Sequence, residues 1–193
     1  MTRDIDVRLK LRARVAADFS ADAGSLIVDE LCILDGDCRI DLAVVNGELH
    51  GYEIKSDADT LDRLHSQAAA YNAVFDRITL VAGSRHAGKA FAAVPQWWGL
   101  ITAISERGRV VLRPERPAAA NPQLDPVAIA SLLWREEVAA VLKERCGGHG
   151  LSGHRRPLLR KLLAGLMPLE DLRAVVRSAL QQRKDWRPDA MRM

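Results

Sequence analysis

The spacing of apolar positions changes period several times along the chain, and each change marks an element. From about Asp4 to Asp18, charged residues alternate with Ile5, Leu9, Leu11 and Val15, which predicts a helix with one apolar stripe. Then the period shortens. Ser25–Leu34, Arg39–Val45 and Leu49–Lys55 are short, rich in β-branched residues and separated by Asp35-Gly36-Asp37 and Asn46-Gly47, so a three-strand meander is expected. Asp59 is placed to cap a following helix in which Leu61, Leu64, Ala68, Tyr71 and Phe75 recur at helical spacing. Ile78–Ala82 is a continuous apolar run, the pattern of a strand buried on both faces. A short helix near His86–Ala93 and two strands, Leu100–Ser105 and Val110–Arg113, complete the first part. The order through Ala82 is α-β-β-β-α-β.

Pro114, Pro117, Pro122 and Pro126 surround an alanine-rich run in which no apolar period survives. Residues 114–124 therefore read as a linker between a core at 1–113 and a helical segment at 125–193. In that segment, helices are expected over 125–145, 155–165 and 169–184, with Leu158, Leu162, Leu166 and Val176 as their core and Gly147-Gly148 and Gly165 as stops.

Charge sharpens this division. The net charge of +3 over 193 residues conceals −2 for residues 1–120 (15 basic, 17 acidic) and +5 for residues 121–193 (13 basic, 8 acidic). A basic helical segment suits a polyanionic partner, and equally a solvated helix face. No run of apolar residues is long enough to span a membrane, and Met1-Thr2-Arg3-Asp4 lacks the layout of a signal peptide. A cytoplasmic protein with no membrane partner is expected, its three cysteines, Cys32, Cys38 and Cys146, reduced and packed.

Asp41, Glu53 and Lys55 carry the candidate chemistry. Hydrolysis of a phosphodiester calls for carboxylates to hold Mg²⁺ or Mn²⁺ and a cation to orient the attacking water or steady developing charge. Strand alternation sets Ile40, Leu42 and Val44 on one face with Asp41 on the other, while Glu53 and Lys55 share a face opposite Ile54. Asp41 and Glu53 meet only if the turn is odd. A two-residue turn pairs Asp41 with Tyr52, whereas a three-residue loop, Asn46-Gly47-Glu48, or a bulge near Gly51, brings Asp41 level with Glu53. A solvated cross-strand ion pair would also explain the alternation.

Asp41, eleven residues, then Glu53-Ile54-Lys55 resembles the D…(D/E)xK signature of the PD-(D/E)XK nuclease superfamily, and the αβββαβ order resembles its core. Gln67-Ala68-Ala69-Ala70-Tyr71 is similar to the QxxxY motif of RecB-like members. Gln67 and Tyr71, one helical turn apart, can face one cleft. Ile40 stands where the superfamily's name has proline. The resemblance covers residues 5–82 and implies a small bacterial stand-alone member: a restriction-endonuclease-like α/β fold with a mixed central sheet and a C-terminal helical segment. It implies a Mg²⁺- or Mn²⁺-dependent deoxyribonuclease. Asp41, Glu53 and the Ile54 carbonyl would hold the metal, Lys55 would position or activate water, and Gln67 and Tyr71 would align the phosphate. Glu30, upstream of Asp41, matches an additional acidic metal ligand by position, or faces solvent in an edge salt bridge.

Arg63, one turn before Gln67, is a candidate phosphate contact or a partner for Asp59. Arg155, Arg156, Arg160 and Lys161 form the most basic run, followed by Arg173, Arg177, Arg183, Lys184 and Arg187, and are the candidate nucleic-acid contacts of the C-terminal segment. Asp57 and Asp59 suit helix capping, His50 and His65 a surface position, and Trp97-Trp98 packing at the sheet edge. The sequence also admits a homodimer. The competing reading is a non-catalytic nucleic-acid-binding module of the same fold.

Overall fold

The computed structural model describes residues 1–147 and 153–183. It is a mixed α/β architecture: one six-stranded sheet, a helix on one face, and the remaining helices on the other. In chain order the elements are α1 (Asp4–Asp18), β1 (Leu26–Ile33), β2 (Cys38–Val45), β3 (Leu49–Lys55), α2 (Leu64–Asn72), β4 (Arg77–Gly83), α3 (Ala87–Ala92), β5 (Gly99–Glu106), β6 (Arg109–Arg116), α4 (Pro126–Ala130), α5 (Arg135–Cys146), α6 (Arg156–Leu166) and α7 (Leu169–Gln182). The strands lie side by side in sequence order. β1, β2 and β3 pair antiparallel, β3–β4 and β4–β5 parallel, and β5–β6 antiparallel. Helices α2 and α3 make the two parallel crossovers, and β4 is buried from Ile78 to Gly83 as its unbroken apolar run requires.

α1 packs through Val7, Leu11 and Val15, each at most 1% exposed, against Leu42, Val44, Tyr52, Ile54, Val81 and Ile101. Of the expected stripe, Leu11 and Val15 are buried, but Ile5 and Leu9 are 52% and 63% exposed and Val7 goes inside instead. The helix has two apolar rows, and the one that meets the sheet also aims Arg8 at β2, an ionic contact that Ile5 and Leu9 on the inside would forfeit.

On the opposite face, one continuous core joins the sheet to α2, α3 and all four C-terminal helices, from Val28 and Ile78 through Leu133, Leu142, Leu163, Leu172 and Leu180. The expected linker at 114–124 is not a free tether. Its first three residues belong to β6, and the rest is fastened by Ala119 N–H to Trp97 O, Asn121 N–H to Asp76 O and Asn121 Nδ2 to the carbonyls of Asn72 and Phe75. The prolines stop helix and ladder, while donors and acceptors of the chain around them still find partners in the core. The expected helix over 125–145 is two helices. Asp125 caps α4 through Val127 N–H and Ala128 N–H, and Glu137 accepts Trp134 N–H to start α5 after buried Leu132 and Leu133 turn the chain.

In α6 the buried residues are Leu159, Arg160 and Leu163, whereas Leu158, Leu162 and Leu166, expected in the core, are 45%, 39% and 50% exposed. Val176 is buried in α7 as expected. Gly148, Lys184 and Arg187 lie outside the described residues. Among the described residues no helix is long and apolar enough to cross a membrane.

Candidate functional site

The β2–β3 hairpin sets the site. Val45 pairs with Leu49, leaving Asn46-Gly47-Glu48 as the loop, closed by Asn46 N–H to Glu48 O and Glu48 N–H to Asn46 Oδ1, both 3.0 Å. This is the odd-length loop the site requires. The ladder runs to Leu42 and Tyr52, and one step further brings Asp41 level with Glu53. There the side chain of Asp41 replaces the ladder: its Oδ2 accepts Ile54 N–H at 2.6 Å.

The neighbouring ladder is interrupted at the same place. β1 and β2 pair on either side of Glu30 and Asp41 but not at them, and Glu30 has φ 56°. Both strands change face across this missing rung. Ile40 packs with Leu31 and Ile33 in the helix-rich core, while Leu42 and Val44 pack against α1, so Ile40 does not share their face as simple alternation expected.

Glu53 is 2% exposed and Lys55 7%. Lys55 Nζ donates to Glu53 Oε1 at 2.5 Å, and Tyr71, reaching down from α2, stands 2.6 Å from Glu53 Oε2. The Tyr71 hydroxyl also lies 2.7 Å from the Arg39 carbonyl, and Gln67 Nε2 donates to it at 3.3 Å. One hydroxyl proton cannot fully serve both Arg39 O and Glu53 Oε2. Tyr71 Oη donates toward both acceptors, Arg39 O and Glu53 Oε2, and accepts from Gln67 Nε2. Burial first, then the charge of Asp41, pushes the Glu53 carboxyl up to about 7, against the pull of Lys55. Burial also raises Asp41, opposed by Ile54 N–H and Arg8, and raises the Tyr71 hydroxyl and the Cys38 thiol beside it.

The sequence-derived residues thus divide. Asp41, Glu53, Ile54, Lys55, Gln67 and Tyr71 come together. Glu30 stands at the margin, paired with Arg39 at 3.1 Å and reached by Arg8 at 3.8 Å. Arg63 is exposed at the start of α2; Asp59 is not its partner, since Asp59 accepts from the N–H and hydroxyl of Ser56 and closes a turn instead of capping α2. Asp57 likewise caps no helix. Its carboxylate ties Thr2 N–H and Arg85 N–H together.

Arg160 is 4% exposed, with Nη1 on Asp35 at 2.5 Å and Nη2 on the Ser131 carbonyl at 2.9 Å. Its guanidinium is spent inside the fold, so it is not the surface phosphate contact expected. Arg156 pairs with the same Asp35, while Arg155 and Lys161 are exposed. Arg173 pairs with buried Asp76, and Arg183 with Glu137. His50 is not a surface residue: its ring stacks on Tyr52, bonds Thr79, and is driven down to about 4 by burial and then Arg77. Trp98 is buried in the core, with its indole N–H on Asn72. Cys32, Cys38 and Cys146 form no disulfide, and Cys146 is exposed instead of packed.

Sequence reasoning missed Arg8. Its Nη2 donates to Asp41 Oδ1 at 2.7 Å and its Nη1 to the Asp41 carbonyl at 3.0 Å. The signal was the row Asp4, Arg8, Arg12 at four-residue spacing, a charged edge beside the true stripe of Val7, Leu11 and Val15.

Among the described residues no group of three or more His, Cys, Asp or Glu side chains is arranged to hold a metal ion. Magnesium in phosphoryl-transfer sites commonly takes only one or two carboxylates, with water and phosphate completing its shell. Two observations fit that more modest demand: two acids with like charges meet at one level of the hairpin, and Gln67 Oε1 is buried with no hydrogen-bond partner, an acceptor left open beside them.

The fold and site define a mixed α/β protein with a buried acid–lysine–tyrosine cluster at a sheet hairpin. The family described as Bacteriophage P4 protein cII matches residues 11–191, and the chain belongs to it. Protein cII of Enterobacteria phage P4 is 25% identical over 157 residues, 81% of this chain and 59% of the relative, so the chain spans about three-fifths of that relative's length. No solved structure matches the chain.

Proposed function

We propose that the chain is a nuclease dependent on Mg²⁺ or Mn²⁺, acting on the phosphodiester bonds of DNA, with a core of the restriction-endonuclease-like, PD-(D/E)XK kind. The observation that carries this reading is the convergence of Asp41, Glu53, Lys55, Tyr71 and Gln67, drawn from three elements, into one connected cluster. A solvated surface ion pair, the bland account of Asp41, Glu53 and Lys55, does not fit a Glu53–Lys55 pair at 2% and 8% side-chain exposure. Taking two charges from water is costly, and a fold keeps them there where they have work to do or are fully paired.

In this reading Asp41, Glu53 and the Ile54 carbonyl hold the divalent cation, which would supply Lewis-acid stabilisation of charge on the phosphate. Lys55, fixed by Glu53, orients the attacking water. Tyr71 holds Glu53 in place from α2 while anchored on Arg39 O, and Gln67 offers its open Oε1 toward the same space. Arg63, exposed one turn ahead of Gln67, with Arg155 and Lys161 on α6, supplies charge for the nucleic-acid backbone. Purified chain is to be assayed with Mg²⁺ or Mn²⁺ on single-stranded, duplex, nicked and branched DNA and RNA. Asp41→Ala and Lys55→Ala are expected to abolish cation-dependent cleavage with circular dichroism unchanged, and undiminished cleavage by either sinks the assignment.

One observation favours a second reading, a nucleic-acid-binding module of the same fold without catalysis: Arg8 and Lys55 already neutralise the two acids. Nucleic-acid binding that persists in EDTA, with no Mn²⁺ bound by the protein, would select it.

A further inference from the structure

We propose that Arg8 is the built-in counter-cation of the Asp41/Glu53 site, holding the place beside Asp41 that a divalent cation takes and thereby setting how tightly the cation binds. The proposal rests on the nuclease reading and concerns the state of that site before metal arrives. Arg8 is carried on α1 with its side chain 19% exposed. Its fork grips one residue twice, Nη2 on the Asp41 carboxylate at 2.7 Å and Nη1 on the Asp41 carbonyl at 3.0 Å. Because Ile54 N–H occupies Oδ2, both carboxylate oxygens of Asp41 are engaged. On the other side Lys55 holds Glu53 Oε1 at 2.5 Å. Each acid of the site is thus matched by one internal cation, which is how two neighbouring carboxylates stay folded into a hairpin without metal.

The two internal cations differ in what they can do. A guanidinium does not lose its proton in a protein, so Arg8 cannot yield by neutralising. It must swing away or stay and repel the incoming ion. Two acceptors are ready for it: Asp4, already 3.2 Å from Nε on the same helix, and Glu30, 3.8 Å from Nη1. Glu30 owes that position to its left-handed backbone, φ 56°, at the interrupted rung opposite Asp41. A strained residue of this kind persists where the surrounding structure holds it, and here it turns a carboxylate toward Arg8 and Arg39. Arg8 thus already touches Asp4 and lies near Glu30 while it holds Asp41, so two carboxylates stand beside it when Asp41 is taken by another cation.

The test is Mn²⁺ binding to the full chain by titration calorimetry. Arg8→Gln removes the charge and is expected to bind Mn²⁺ about tenfold tighter or more, since a unit charge a few ångströms from a divalent ion is strongly repulsive at protein dielectric. Arg12→Gln, on the same helix but paired with Asp29, is expected to match the wild type. A second measurement needs no variant: in wild-type protein, the side-chain Nε–H signal of Arg8 should shift on saturation with Mg²⁺. Binding by Arg8→Gln no tighter than wild type, or an Arg8 signal unmoved by Mg²⁺, overturns the proposal. If wild type binds Mn²⁺ and Glu53→Gln abolishes it while Arg8→Gln changes nothing, the proposal falls and the nuclease reading stands. If no protein binds Mn²⁺, both fall.

Discussion

Replacing Glu53 by Gln, with no divalent cation present, removes one titrating group from the interior and leaves its shape, so its effect on stability should depend on pH in a way the structure specifies. Glu53 is 2% exposed and its carboxyl is pushed up to about 7 from the ordinary 4.5, by burial and by Asp41. An acid raised in the folded state binds its proton more tightly there than when unfolded. Its stabilising contribution is complete below the unfolded value and is lost as pH rises through the folded one. For values of 4.5 and about 7, the contribution falls by about 2–3 kcal/mol between pH 5 and pH 8. Wild type should therefore gain about 2–3 kcal/mol on Glu53→Gln when the pH is lowered from 8 to 5, because the variant lacks this titrating group. Taking the difference between the two proteins cancels every other titrating group to first order. Urea unfolding in EDTA, followed by the fluorescence of buried Trp98, reads both stabilities. A wild-type-minus-variant difference that is flat with pH, or that moves toward wild type as pH rises, refutes the account of Glu53 as a buried acid that holds its proton more tightly in the folded state.

Three shorter predictions follow from packing and burial. Leu163→Ala, at a site 0% exposed in α6, should cost about 2–5 kcal/mol, while Leu162→Ala, 39% exposed, should cost under about 1 kcal/mol; thermal melts distinguish them, and equal losses would put the wrong face of α6 inside. Arg160→Ala, which leaves the Ser131 carbonyl without a donor and Asp35 with Arg156 alone, should destabilise by about 1–3 kcal/mol and leave any affinity for nucleic acid unchanged, as fluorescence anisotropy would show. His50, driven down to about 4, should keep a neutral ring from pH 8 to pH 5, so its NMR ring signals should not titrate there. Its contribution to stability is complete only above the unfolded value of 6.5 and is lost progressively as the pH falls from there to the folded value of about 4.

Much of the architecture was legible because it is local. The change from helical to strand period, the turn residues and the unbroken run Ile78–Ala82 give the α-β-β-β-α-β order and the strands beyond it. Parity asked for either the Asn46-Gly47-Glu48 loop or a bulge near Gly51 to bring Asp41 level with Glu53, and the structure has the loop. The spacing of Gln67 and Tyr71 likewise suffices to put both near Glu53 once α2 packs on the sheet.

What periodicity left open, tertiary contacts decided. α1 and α6 each carry two apolar rows, and only the partner surface determines that Val7, Leu11 and Val15, or Leu159 and Leu163, go inside. The prolines at 114–126 looked like a boundary, yet their neighbours are bonded to Trp97, Asp76 and Asn72, and the C-terminal helices share the core of the sheet. The face reversal comes at a missing rung, where Glu30 has a positive φ that a non-glycine residue does not advertise. Arg8 and Arg160 are ordinary charges in sequence; a guanidinium's role depends on which carboxylate the fold brings within 3 Å, and for these two that was Asp41 and Asp35. Local sequence fixes which residues can form an element and which share a face of it. Only long-range packing decides which face is buried and which charge meets which, because those choices are made by surfaces distant in the chain.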